Sequence, residues 1–256
     1  MHFSTRNARP YLAALAAASL GAAAQAGVII DSPDGFALRS EGSTSLGADV
    51  FVDGSAGARG AMEIGWNAKI TGLIEKGPES TWKTPDLGKL PQAGTKTISL
   101  GWKETVALDP GAWGKVAIGD SATLLLSAGD YAVKSFSSGW AGTVVADTSK
   151  GDVYLYVNGS LKAGDEARFL TTGPGSLYLI TGGESAFGYK SQLTGMLYSQ
   201  GSTAFGSESL VNGYVWSGGA ISAGWKSEFN YSAPIPAPGA AALALAALAV
   251  ARRRRR

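Results

Sequence analysis

Apolar residues recur along this chain at fixed distances from glycines. One nine-residue pattern occurs eight times: an apolar residue, glycine, four variable residues, a second apolar residue, a variable residue and often another glycine. The copies begin at Leu46, Ile64, Leu100, Ile118, Ala163, Phe187, Phe205 and Ala223. Successive copies begin 18, 36, 18, 45, 24, 18 and 18 residues apart, which indicates a unit of about 18 residues with insertions.

The repeat predicts an all-β fold, a single-stranded parallel β-helix (solenoid) of about 18-residue coils. The apolar positions would stack one coil away, about 4.8 Å along the axis, and the glycine would supply a positive φ or a close backbone approach at a corner. The copies resemble both bactofilin-type right-handed coils and hexapeptide left-handed coils, so both hands stay open. A β-sandwich is the alternative, because evenly spaced short strands with glycine turns suit it too.

Three stretches interrupt the repeat. Residues 75–97 contain three prolines and several charges, which predicts an excursion loop off the coil stack. Residues 124–136 and 151–161 are more continuous strand patterns, which suggest a sheet that caps or widens the solenoid. Trp113 and Trp140 lie outside the eight copies, and we expect both in the core.

The two ends of the chain have the composition of targeting segments. Residues 1–26 combine Arg6 and Arg9 with an apolar stretch and small residues before Gly27, which predicts a signal peptide cleaved after Ala26. Residues 240–251 are all Ala, Leu and Val and precede a run of arginines. This run is short for a bilayer core of roughly 30 Å, but with its flanks it predicts a marginal transmembrane helix whose arginines stay in the cytoplasm.

The last 23 residues resemble a known sorting signal. A proline motif, an apolar helix and an arginine cluster resemble the PEP-CTERM signal of Gram-negative bacteria. The resemblance rests on Pro236, Ala237, Pro238, Gly239, Arg252, Arg253, Arg254, Arg255 and Arg256. It implies that a membrane-embedded exosortase processes the tail near the prolines. Here Pro-Ala-Pro-Gly replaces the usual Pro-Glu-Pro core, and a plain tail anchor is the alternative.

These assignments leave residues 27–232 as the exported passenger, and they change its charge. The two ends carry seven of the 22 basic residues and none of the 20 acidic ones. The passenger therefore has 15 basic residues and a net charge of −5 instead of +2. The basic character of the whole chain thus gives no reason to expect nucleic acid as a partner.

The passenger lacks the side chains of most catalytic sites. It contains no cysteine, and the single histidine of the chain is His2 in the predicted signal peptide. Ser-His and Cys-His catalysis and ordinary zinc sites are therefore excluded, and we predict no cofactor, no metal and no enzymatic activity. The acidic residues Asp49, Asp120, Asp165 and Glu208 lie beside the repeat glycines, which is typical of turn residues that bond local backbone.

An aromatic and basic stripe is the candidate binding feature. The third position of four copies holds Trp66, Trp102, Tyr189 and Trp225, and three of these rings are followed by Lys103, Lys190 and Lys226. If the copies stack in register, a ladder of rings would run along one edge, where it could contact a glycan. The alternative is that the rings pack on each other and on the lysine stems to close a corner.

The order of features in the passenger is similar to an uncharacterised domain of bacterial surface proteins. The resemblance rests on "LSAGDYAVKSF", "VYLYVNGSL" and the region from "LTGMLYSQ" to "KSEFNYS". That domain occurs beside pilus-associated adhesins, and it implies a structural or adhesive role at the cell surface or in an exopolysaccharide matrix. A carbohydrate-active enzyme or carbohydrate-binding module on a β-helix is the alternative. A self-assembling polymer is a third reading, because a solenoid has open ends.

Overall fold

The computed structural model of the protein describes residues 35–80 and 82–233. The predicted signal peptide, proline motif, apolar tail and arginine cluster lie outside these residues. Within the two ranges, no helix has the length and apolarity needed to cross a membrane.

The described residues form a parallel β-solenoid, which confirms the predicted fold class. Of the two folds left open, the structure therefore has the solenoid and not the β-sandwich. They contain 23 strands, and each pairing between these strands is parallel. The strands form three rows, which we call A, B and C in the order in which each coil passes through them.

Row A carries the first strand of each coil. It comprises β1 (Phe36–Ser40), β4 (Ser55–Ala58), β7 (Ile74–Lys76), β14 (Val153–Val157), β17 (Leu177–Thr181), the first parts of β10 (Gly111–Ile118) and β12 (Gly129–Ser138), and the second parts of β19 (Gln192–Ser199) and β21 (Leu210–Ser217).

Rows B and C complete each coil. Row B comprises β2 (Thr44–Leu46), β5 (Met62–Ile64), β8 (Ile98–Leu100), β15 (Leu161–Ala163), β18 (Ser185–Phe187), β20 (Thr203–Phe205), β22 (Ile221–Ala223) and the second parts of β10 and β12. Row C comprises β3 (Phe51–Asp53), β6 (Lys69–Ile70), β9 (Thr105–Leu108), β11 (Thr123–Ser127), β13 (Thr143–Asp147), β16 (Arg168–Thr172), β23 (Glu228–Tyr231) and the first parts of β19 and β21.

The coils do not stack in chain order. Strand β1 pairs with β4 on one side and with β21 on the other, so the first coil of the chain lies beside the last. The coil of β4 to β6, with β7 paired to the outer side of β4, therefore forms one end of the stack, and the coil of β8 and β9 forms the other. The chain must cross the whole stack between these two coils, and it does so in residues 77–97.

Residues 77–97, here called the strap, lie along the outside of row A. The described strap residues contain no strand and pack on the solenoid, and the excursion loop over residues 75–97 stays a prediction. Trp82 and Leu87 of the strap are buried. Leu87 joins an apolar cluster on the outer face of row A, made of Phe36, Tyr156, Tyr178, Ile180, Met196, Tyr198, Tyr214 and Trp216.

The interior of the solenoid is a second, larger apolar cluster built from inward-facing residues of all three rows. Equivalent side chains of neighbouring coils meet there, as the repeat predicts. The rings of Phe187 and Phe205, which are paired across adjacent coils, stack with centroids 4.9 Å apart. The two stretches of continuous strand pattern, residues 124–136 and 151–161, belong to regular coils of this stack and do not form a separate sheet.

Candidate functional site

The candidate site lies on the edge where row B turns into row C. Nine described turns form this edge, and in each one the fourth repeat position adopts the left-handed conformation, with φ between 50° and 58°. These residues are Asp49, Asn67, Lys103, Ser121, Ala141, Glu166, Lys190, Glu208 and Lys226. Backbone hydrogen bonds join each turn to the next, for example from Lys226 N to Ala48 O at 3.0 Å and from Glu208 N to Trp225 O at 2.7 Å. The edge is therefore a regular backbone ladder.

The glycine at the second repeat position is required for a reason other than the left-handed conformation found at the fourth position. A Cβ at Gly206 would lie 2.6 Å from the carbonyl carbon of Gly188 in the neighbouring coil, and Gly65 and Gly224 are equally crowded. Gly101 lies in the last coil of the stack, and the nearest atom to a Cβ there would be a Glu104 carboxylate oxygen 3.5 Å away. Close approach between coils, and not a positive φ, therefore requires the glycine.

Aromatic rings occupy the third repeat position in every second coil of the stack. Along the edge the third position reads Trp66, Ala48, Trp225, Ser207, Tyr189, Asp165, Trp140, Asp120 and Trp102. The expected ladder of rings therefore exists, but its members are separated by coils that carry a small or acidic residue. From Trp102 to Trp225 the alternation follows chain order once the copy that carries Trp140 is included, and Ala48 and Trp66 continue it because their coils stack beyond that of Trp225.

Trp140 corrects the sequence analysis. It was expected in the core, but it lies on the edge with 52% of its surface exposed, in a ninth copy of the turn that begins at Ser138. Ala141 follows it in the left-handed conformation. The copy escaped notice because its first residue is serine and because it lies 20 residues after Ile118 and 25 before Ala163. The other tryptophan outside the copies, Trp113, is half-buried against the core.

The five rings are exposed and do not pack on one another. Their exposed fractions run from 40% for Tyr189 to 79% for Trp66, and none of the ring pairs in contact among the described residues joins two of them. Three rings contact their own lysine: Lys103 Nζ lies 4.2 Å from the centroid of Trp102, and Lys226 and Lys190 lie 4.2 and 5.0 Å from Trp225 and Tyr189. All seven predicted side chains therefore lie on this edge.

Carboxylates of the intervening coils hold two rings in place. Asp49 Oδ2 accepts a hydrogen bond from Trp225 Nε1 at 2.9 Å, and Glu208 Oε1 accepts one from the Tyr189 hydroxyl at 3.0 Å. The side-chain amide of Asn67 and then the indole of Trp225 lower the pKa of Asp49. The hydroxyl of Tyr189 and then Glu208 raise the pKa of Lys190. Both groups are therefore charged at neutral pH.

Two further carboxylates act on the backbone. Asp120 accepts a hydrogen bond from Trp140 N and Asp165 accepts one from Tyr189 N, both at 2.8 Å. The aspartates bond backbone, as expected, but that backbone belongs to the turn of the next coil, 20 and 24 residues away, and is not local. In the part of the chain that the structure describes, no group of three or more acidic or imidazole side chains could hold a metal ion.

A groove of about 770 Å³ runs beside Trp225 and Tyr189 on the row C side of the edge, from the coil of Asp49 to the coil of Glu166. The charged side chains that line it nearly balance, since Asp49, Glu166, Glu208 and Glu228 face Arg168, Lys190 and Lys226. Lys190 and Glu208 form an ion pair with N and O 3.5 Å apart. The groove is therefore polar but close to neutral.

Comparison with known proteins finds solved structures with a similar fold. No family model and no curated protein matches the sequence. The solenoid is similar to an ice-binding protein from the Antarctic ascomycete Antarctomyces psychrotrophicus, with a TM-score of 0.51 and 14% identity over 77% of this chain and 95% of that chain. It is also similar to an ice-binding protein from an Antarctic biological consortium, with a TM-score of 0.50 and 13% identity over 81% of this chain and 92% of that chain. At these identities the likeness is one of fold.

Proposed function

We propose that the protein is an exported structural or adhesive component of the cell surface or exopolysaccharide matrix, and that it binds polysaccharide along the aromatic edge. The observation that carries this proposal is the row of five exposed rings at two-coil intervals. Aromatic faces stack on the apolar faces of sugars, and the adjacent lysines offer hydrogen-bond donors. The β-ladder holds the rings before the ligand arrives, which lowers the entropic cost of binding.

The acidic side chains of the edge support binding without catalysis. Asp49 and Glu208 hold rings, and Asp120 and Asp165 hold backbone amides. A glycosidase needs two carboxyl groups directed at one bond, and these four are each engaged in keeping the edge in shape. A carbohydrate-binding role therefore fits the edge better than the alternative of a carbohydrate-active enzyme.

Export and anchoring remain part of the proposal. We propose cleavage of residues 1–26 and processing of the tail by an exosortase near residues 236–239. The described chain ends lie together, since Ser55 N donates to Gly35 O at 2.8 Å and a Cβ on the neighbouring Gly54 would lie 2.9 Å from Tyr231 Cβ. Both described ends lie on the side of the stack where row C turns into row A. A tether attached on that side would not cover the aromatic edge.

Removing two central rings tests the binding function. The double variant Trp140→Ala/Trp225→Ala should bind polysaccharide about tenfold more weakly for each ring lost. Sedimentation with insoluble cellulose and chitin and affinity electrophoresis in alginate and xanthan measure this. The matched control is Leu73→Ala, which removes a side chain of similar exposure, 67%, away from the edge. Absence of binding to all four polymers, or equal binding by the double variant, would contradict the proposal.

Ice is the second candidate ligand, and a particular surface favours it. The outward residues of row B are small in most coils and lie in register: Ser45, Ser222, Ala204, Ala186, Ser137, Ala117 and Ser99, with Lys162 interrupting the row and Glu63 at its end. Such a row makes a flat surface with a repeat of about 4.8 Å. Two ice-binding proteins share the fold.

An ice assay tests this second function without involving the rings. If row B binds ice, the protein should inhibit ice recrystallisation, and Ala204→Tyr should abolish the inhibition because its side chain breaks the flat surface. Trp140→Ala/Trp225→Ala should leave the inhibition unchanged. If ice recrystallises as fast in the presence of the wild-type protein as it does in buffer, the proposal that row B binds ice is wrong.

A further inference from the structure

We propose that the aromatic edge selects an uncharged, extended, β-linked polysaccharide, and that one disaccharide of this polymer occupies two coils. The inference rests on the proposed polysaccharide function and names the class of ligand. Three observations carry it: the spacing of the rings, the small residues between them, and the charge balance of the groove.

The spacing matches a polymer with a two-sugar repeat. Neighbouring coils are about 4.8 Å apart, so rings in every second coil recur about every 9.6 Å. An extended β-linked chain turns over with each sugar and presents the same face again after two sugars, at a distance of this size. Each ring would therefore meet an equivalent sugar face, and five rings would engage about ten sugars. An α-linked chain that coils cannot remain in register with a straight row.

The residues between the rings keep the rings from covering one another, so that only the lysines of their own coils lie over the rings of Trp102, Tyr189 and Trp225. Two pairs of rings that lie in register in adjacent coils stack on each other, with centroids 4.9 Å apart for Phe187 and Phe205 and 4.7 Å apart for Tyr154 and Tyr178. Rings in every coil of the edge would stack in the same way and hide their faces. The short side chains of Ala48, Ser207, Asp165 and Asp120 prevent this. If the rings only packed on each other to close a corner of the coil, small residues between them would not be required.

The charges of the edge favour an uncharged polymer. Lysines stand in coils that carry rings, and acids stand in the coils between them: Lys226 and Lys190 alternate with Asp49, Glu208 and Glu166. A polymer with a carboxylate on every sugar would place half of them opposite these acids, and like charges repel. Hydroxyl groups of an uncharged polymer can donate to the acids and accept from the lysines along the whole groove.

Chain length and charge test the ligand class. We expect calorimetric titration with cello- or chito-oligosaccharides of two, four and six sugars to show an affinity gain of about tenfold for each added disaccharide. Alginate and amylose should bind at least tenfold more weakly than cellulose or chitin. Equal affinity for two and six sugars, or a preference for alginate or amylose, would overturn the inference and leave the wider polysaccharide function standing.

Adding a ring tests the spacing itself. Ser207→Trp would place a sixth ring between Trp225 and Tyr189, where we expect the three to stack and the affinity for six sugars to fall about tenfold. Ser207→Ala is the matched control and should bind as the wild type does. Thermal unfolding of both variants checks that the edge is intact. Unchanged or tighter binding by a folded Ser207→Trp would show that spacing does not select the ligand. If neither Ser207→Trp nor the removal of rings alters binding, the proposed function itself fails.

Discussion

Replacing Trp82 with alanine is expected to lower the free energy of unfolding by about 3–5 kcal/mol. Only 6% of this side chain is exposed. Its ring fills the space over Gly57, where a Cβ would lie 2.7 Å from it, and it contacts Phe36 at a centroid distance of 5.9 Å. On the carboxyl side of the ring, Thr84 Oγ1 donates a hydrogen bond to Glu41 Oε1 at 3.0 Å, which opposes collapse of the strap into the cavity that alanine would leave.

Polar contacts add to this loss. The carbonyl of Trp82 accepts a hydrogen bond from Arg59 at 2.9 Å. Glu41 accepts hydrogen bonds from the indoles of Trp82 and Trp216 at 3.4 and 3.2 Å and forms an ion pair with Arg59 at 3.0 Å. Displacement of the strap would leave part of this network without partners, and unsatisfied buried groups are costly.

Urea unfolding followed by fluorescence and by circular dichroism measures the effect. The matched control is Trp102→Ala, which removes the same side chain from an edge position that is 71% exposed and should cost less than about 0.5 kcal/mol. If Trp82→Ala is no less stable than Trp102→Ala, the strap does not stabilise the solenoid.

The second large effect is expected at the repeat glycine. Gly206→Ala should lower the free energy of unfolding by about 2–3 kcal/mol, because the new methyl group meets backbone of the neighbouring coil. Gly101→Ala makes the same change at the same repeat position in the last coil, where that contact is absent. We expect it to be neutral within about 0.5 kcal/mol.

Thermal unfolding of the two glycine variants separates two explanations of the repeat. Close packing between coils predicts that only Gly206→Ala is destabilised. A conformational need for glycine within the turn predicts that both variants lose stability equally. Equal losses would therefore contradict the packing explanation.

The sequence by itself determined an all-β chain with a coil-sized repeat, favoured the solenoid over the β-sandwich, and identified seven side chains of the candidate edge. These features are local: the glycine and the apolar residues at positions one and seven recur within each coil, and the turn after row B has the same backbone in all nine copies. A pattern of this kind can be recognised without knowing which coil lies beside which. The ring of Trp140 was not predicted on the edge, because its copy begins with serine where the pattern has an apolar residue.

Only the tertiary structure decided the order of the coils. The pairing of β1 with β21 joins residues 38 and 215, and the pairing of β1 with β4 joins residues 38 and 56. Both pairings form hydrogen bonds of the same parallel β-sheet type. The repeat pattern alone therefore does not show which coils are neighbours. That order places Ala48 and Trp66 beyond Trp225 in the row of rings, brings Asp49 to Trp225, and requires residues 77–97 to cross the stack as a strap in which Trp82 and Leu87 are buried. The alternation from Trp102 to Trp225 follows chain order, whereas its extension to Ala48 and Trp66 depends on long-range packing.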